Sequence, residues 1–121
     1  MNTCLVVASV LAVLVGVVHS VLGERLIFRH QSRVADGSRR HRRPFDILWA
    51  TWHIASVMGV ALAAVLWKLA AMPEPSALRE FLLLAIALAY AVSGLLVLVG
   101  TRGRHPGWAG LFGVAVLVWL A

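Results

Sequence analysis

A single cysteine, Cys4, is all the thiol in this chain of 121 residues. That excludes an internal disulfide and a cysteine-cluster metal site, and it leaves the redox compartment open. Charge is scarce too: 13% of the residues are charged and 61% are hydrophobic, where an ordinary soluble domain has about 25% charged. So short and apolar a chain has too little polar surface to cover itself in water. The few charges are lopsided, with eleven basic residues against five acidic ones. All the basic residues except Lys68 are arginine. No Lys or Arg precedes Arg25, so the first apolar run lacks the basic start of a secretory signal and reads as a retained helix.

What is present is apolar runs. A membrane span needs about 20 mostly apolar residues, and four stretches are candidates: about 3–26, 45–70, 78–100 and 106–121. The last is short and would rise only about 24 Å. A thinned bilayer or a helix that stops short accommodates it, and a re-entrant helix is the alternative. Pro106 suits a first helical turn, where its missing N–H costs nothing. The connections differ in charge. The stretch 24–44 carries Arg25, Arg29, Arg33, Arg39, Arg40, Arg42 and Arg43, and the third connection carries Arg102 and Arg104, while the middle one is Met72-Pro73-Glu74-Pro75-Ser76. The positive-inside rule places the two arginine-rich connections in the cytoplasm and both termini outside. The expectation is therefore an all-α, single-domain, four-helix transmembrane bundle over 1–121, N-out and C-out, in a prokaryotic plasma membrane. The first loop is expected to hold a short helix over 26–35 and a turn at Asp36-Gly37-Ser38. Arg39, Arg40, Arg42 and Arg43 are expected at anionic lipid headgroups, where each gains about 1 kcal/mol. Arginines confined between apolar runs leave no folded basic face for nucleic acid. No internal repeat is visible.

Within these runs the polar residues stand out, because an ionisable side chain at membrane depth is expensive and seeks a partner, water or an ion. His19 and His53 lie inside the first two runs, about 9 Å and 12 Å from their cytoplasmic ends at 1.5 Å per residue. On the second run, Asp46, Trp49, His53 and Ser56 follow a one-face helical spacing, and Trp49 and Trp52 fall where an aromatic belt is expected. On the first run Ser20 lies beside His19. Glu24 is five residues on, about 140° around an α-helix, so it joins His19 only if the helix ends or bends near Gly23. On the third run Tyr90, Ser93, Gly94 and Val97 lie together, with Ser93 at a similar depth to the histidines. His105 opens the fourth run. Gly107, Gly110 and Gly113 form a strip that lets another helix approach, within the bundle or between protomers.

A polar site between the first two helices follows, made of His19, Glu24, His53 and His105 with Ser20, Asp46, Trp49, Trp52, Ser56, Tyr90 and Ser93 around it. Imidazole with carboxylate suits Zn, Fe or Cu, two histidines at one depth suit haem, and a small polar ligand or no cofactor is an equal alternative. No H-E-x-x-H spacing is present. The histidines also suit a structural role, hydrogen-bonding across a helix interface. An oligomeric, proton-coupled or substrate-conducting transporter and an accessory subunit of a larger membrane complex are the competing functions. Whether the protein is an enzyme is left open. A serine hydrolase is disfavoured, since Ser20 is no nucleophile elbow, Ser56 has no oriented triad, and Asp46 lies about 10 Å from His53 along the axis.

The strings Gly16-Val17-Val18-His19-Ser20-Val21-Leu22-Gly23-Glu24-Arg25 and Trp52-His53-Ile54-Ala55-Ser56 resemble a group of small bacterial four-span membrane proteins. Those proteins carry a His-Ser-x-Leu-Gly-Glu segment in the first helix and a Trp-His pair in the second. The resemblance covers roughly the first half of the chain. It implies the four-span fold and the residues His19, Ser20, Gly23, Glu24, Trp52 and His53, and it implies no reaction.

Overall fold

The computed structural model describes residues 1–28, 39–72 and 74–121, without the side chains of 27–28 and 39–44. Among the described residues it is all helical. α1 (Thr3–Leu22) runs on into a π-helical turn (Gly23–Phe28), and α2 (Arg39–Ala70), α3 (Ala77–Gly100) and α4 (Gly107–Trp119) follow. Three stretches are long and apolar enough to cross a bilayer: Thr3–Leu26, Phe45–Ala70 and Ala77–Gly100. α4 has 13 residues and rises only about 20 Å, less than the 106–121 stretch promised. Pro106 caps α4 rather than sitting in its first turn. α2 begins earlier than the apolar run, so the arginine stretch from Arg39 is helical. Of the helix expected over 26–35, the described part is the end of the π turn, while the rest and the Asp36-Gly37-Ser38 turn lie outside the described residues.

The helix ends carry ordinary capping chemistry. Asn2 Oδ1 accepts the Leu5 N–H at 3.1 Å and Ser76 Oγ accepts the Arg79 N–H at 3.2 Å, each satisfying a donor that the helix cannot. α3 stops where Arg102 and Gly103 turn left-handed, at φ 51° and 74°, and the Gly103 N–H closes back on the Leu98 carbonyl at 2.8 Å. Asn2 also ties the termini together. Its backbone N–H donates to the Ala70 carbonyl at 3.0 Å, and its Nδ2 donates to the Ala121 carbonyl at 3.0 Å. The start of α1, the end of α2 and the end of α4 therefore meet at one end of the bundle. The π turn, the start of α2 and the 101–106 connection stand at the other.

α1 is the central helix, packed on α2 on one side and on α4 on the other, with α3 against α4. α2 and α3 follow one another in the chain yet touch sparingly. A hydrogen bond from Tyr90 Oη to the Gly59 carbonyl at 3.2 Å joins them. Leu5, Leu66 and Val114, from three different helices, are the fully buried large side chains. Outward faces are apolar, with Leu14, Val57, Leu95 and Leu96 all exposed, which is a surface that lipid solvates and water does not.

Small residues set the helix spacings. A Cβ on Gly110 would stand 2.7 Å from Val15 Cγ2 and one on Gly113 3.1 Å from Leu11 Cδ2, so this strip faces α1 within the bundle. Gly94 meets Phe112 and Leu111 of α4 in the same way. Close backbone approach of this kind is how helices associate without a hydrophobic drive between them. Gly110→Leu should therefore destabilise the protein by about 1–3 kcal/mol, the usual cost of overpacking. Thermal unfolding in detergent checks this against Gly100→Ala, where an added Cβ meets nothing within 4 Å. Equal melting of the two variants would disprove the α1–α4 seam.

Candidate functional site

The site grows from the seam between α1 and α2. Near the terminal end, Ser9 Oγ donates to the Ala63 carbonyl at 2.9 Å. Halfway along, Gly16 lets α2 close in, so that a Cβ there would already lie 3.5 Å from the Ser56 carbonyl oxygen. At the other end α1 changes its winding. From Gly23 it becomes a π-helix, whose i→i+5 pattern widens the turn. Gly23 lies flat against Trp52, and a Cβ there would collide with the indole. The Trp52 Nε1–H donates to the His19 carbonyl at 3.1 Å. The Trp52 ring stacks on the His19 ring, with centroids 4.1 Å apart and planes 7° from parallel.

Widening the turn carries Glu24 round to α2. Its Oε2 accepts the indole N–H of Trp49 at 3.0 Å and lies 3.8 Å from His53 Nε2. The latter is an ion-pair distance and too long for a hydrogen bond. On the other side of the same ring, His53 Nδ1 pairs with Ser20 Oγ at 3.1 Å. Trp49, one turn before His53 on α2, sets its ring edge-on to the imidazole at a centroid distance of 4.6 Å. The result is a row, Ser20–His53–Glu24, that starts on α1, crosses to α2 and returns to the π turn. It is half-open: the side chains of His53 and Glu24 are 28% and 38% exposed.

The remaining candidates divide. His105 lies in the 101–106 connection, at the same end of the bundle as the π turn. His105 is otherwise occupied locally, its Nδ1 accepting the Gly107 N–H at 3.0 Å and its N–H donating to Thr101 Oγ1 at 3.3 Å. Ser56 is buried and borders the α1–α2 seam. Asp46 is exposed near the start of α2, and Ser93 is exposed on α3, away from the buried face that carries Tyr90 and Gly94. Tyr90 is spent on the α2–α3 tie. The side chains of Arg39, Arg40, Arg42 and Arg43 lie outside the described set. Gly23 is the residue that reading by composition undervalues. Its signal was the 140° gap between His19 and Glu24, which pointed to a bend near Gly23, and the winding does change there.

Chemically the row joins a hydroxyl, an imidazole and a carboxylate, so it can hold a proton, a cation or a small polar molecule. Ser20 sits inside α1, a helix whose N–H groups are used by the helix itself. No group of three or more His, Cys, Asp or Glu residues is placed to hold a metal ion among the described residues. Comparisons with family models, with curated proteins and with solved structures gave no match in any of the three.

Gly23→Ala should push Trp52 off α1, breaking its bond to the His19 carbonyl and its stack on the ring, at a cost of about 1–3 kcal/mol. The same substitution in a Trp52→Ala background should cost clearly less, since the colliding ring is gone. A thermal-unfolding cycle of the four proteins checks this. Additive losses would show that Gly23 and Trp52 do not touch.

Proposed function

We propose that this is a small integral membrane protein of the prokaryotic plasma membrane, N-out and C-out, that binds a metal ion or small polar ligand at the His53–Glu24 pair near the cytoplasmic side. The observation that carries the reading is His53 held by Ser20 at Nδ1 with the Glu24 carboxylate 3.8 Å from Nε2. A polar row at membrane depth is costly to assemble, and its typical return is a bound ion or substrate. Zn, Fe or Cu at this pair takes one nitrogen and one oxygen from the chain and needs its other donors from water, a co-ligand or a second copy. Haem ligated by His19 and His53 asks more, because the His19 ring is stacked on Trp52. The likeness of the His-Ser-x-Leu-Gly-Glu and Trp-His strings to small four-span proteins belongs to the same proposal.

Elemental analysis of purified protein, followed by titration with Zn2+, Fe2+ and Cu2+, tests it. One metal per chain is expected, with affinity falling at least about tenfold in His53→Ala and Glu24→Gln, the scale of losing a supporting or direct ligand. Ser93→Ala should bind as the parent does. Native mass spectrometry of the same preparation reads a non-metal ligand, again lost in His53→Ala. Neither signal in the parent protein would overturn the reading. A Glu24-dependent proton flux in liposomes would favour an oligomeric conductor, and a co-purifying membrane partner would favour an accessory subunit.

The orientation rests on the arginine bias of 24–44 over the middle connection. In a Cys4→Ser background, Ser38→Cys should resist a membrane-impermeant thiol reagent in intact cells and react once the cells are lysed. Labelling of intact cells would reverse the topology.

A further inference from the structure

Charge and aromatic surface meet at the mouth of the His53–Glu24 pair. Phe45, Trp49 and His53 follow one another at four-residue steps along α2, so they share one face. Trp52 lies beside them, but its ring is already covered by the His19 ring. Trp49 differs. Its indole N–H holds Glu24 Oε2 at 3.0 Å, it meets the His53 ring at 66° rather than stacking on it, and it is 47% exposed. Aromatic surface is therefore left open directly beside a half-exposed carboxylate.

The register of α4 against α1 places this mouth at the rim of the hydrocarbon. Gly113 faces Leu11 and Gly110 faces Val15. At equal rise along the two helices, Gly107, the first residue of α4, comes level with His19. The exposed Arg102 and Arg104 in the connection before it therefore stand at the height of the end of α1, and arginines in such a place sit among water and headgroups. A charged occupant reaches the pair from that interface without crossing hydrocarbon.

The available donors decide which cation fits. A metal ion fills about four to six coordination positions. The pair supplies one carboxylate and one imidazole, and among the described residues no group of three or more His, Cys, Asp or Glu is placed to do more. A primary ammonium brings three N–H donors that each need an acceptor. A quaternary ammonium brings none. It needs a negative charge and a ring face within about 6 Å, and those are what Glu24 and Trp49 present.

We propose that the Glu24–Trp49 mouth binds a quaternary ammonium group, carried by a soluble compound or by a lipid headgroup. This rests on the reading of His53–Glu24 as a ligand site and names the class of its ligand. Glu24 supplies the charge, Trp49 supplies the ring face, and the indole N–H fixes the carboxylate beside that ring.

The test uses the full chain in nanodiscs of phosphatidylethanolamine and phosphatidylglycerol, which hold no quaternary ammonium. Choline is titrated in and followed by ligand-observed NMR of its methyl signal and by tryptophan fluorescence. Saturable binding is expected. Dimethylbutanol, the uncharged carbon isostere of choline, should bind at least about tenfold more weakly. Glu24→Gln and Trp49→Leu should each weaken choline about tenfold, the scale of a partly desolvated cation–ring or ion contact. Trp49→Phe, which keeps a ring face without the N–H, should lose less than Trp49→Leu. Circular dichroism and melting show that each variant folds. Nanodiscs made with phosphatidylcholine separate the two sources: a suppressed choline signal there shows that the headgroup takes the site, and an unchanged one shows a soluble cation. Equal binding of dimethylbutanol, or choline binding unchanged in both Glu24→Gln and Trp49→Leu, would overturn the proposal. So would an absence of choline binding. If Zn2+ then binds through His53 and Glu24, the ligand site stands and its ligand class is wrong; if neither binds, both readings fall.

Discussion

α1 and α2 share hydrogen bonds because Gly16 and Gly23 let their surfaces meet. At Gly16 the neighbouring backbone carbonyl of Ser56 lies at van der Waals distance from where a side chain would begin, and at Gly23 the indole of Trp52 occupies that place. Helices in lipid gain little from burying apolar surface, since lipid tails are as apolar as leucine, so contact depends on close backbone approach and on polar bonds across the seam. Both are present here, from the Ser9 bond to the Ala63 carbonyl at one end to the Trp52 bond to the His19 carbonyl at the other. The polar row exists because this seam holds its members within reach.

The same constraint explains the arrangement of the other helices. α4 is shorter than the three stretches long enough to cross a bilayer, yet it packs along α1 through Gly110 and Gly113 and against α3. Asn2 then ties α1, the end of α2 and the end of α4 together at the terminal end. The opposite end has the π turn, the two tryptophans, the His53–Glu24 pair and the 101–106 connection.

Much of this was legible beforehand, and the exceptions are instructive. Apolar run length marked Thr3–Leu26, Phe45–Ala70 and Ala77–Gly100 to within a residue or so, because lipid-facing helices are apolar on nearly every side. A site between the first two helices holding His53, Glu24 and Ser20 was expected, but which of its atoms pair was not legible, because the pairs join residues from two helices. Nor was the fate of His19. Its ring lies against Trp52, while His53 is engaged by Ser20 and Glu24. Asp46 and Ser93 shared helical faces with good candidates, yet both are exposed. Spacing along one helix reports a shared direction, and it does not report which direction has a neighbour.

Composition and run length alone decided the solvent: 61% hydrophobic residues with charge pressed into the connections leave hydrocarbon as the medium that accepts these surfaces. They also decided that any histidine inside a run would be conspicuous. Tertiary structure alone decided which polar atoms meet. The angle at which Glu24 leaves α1 depends on the widened turn at Gly23, and the space beside that turn is taken by Trp52 from another helix. A helical wheel drawn at constant pitch contains neither fact.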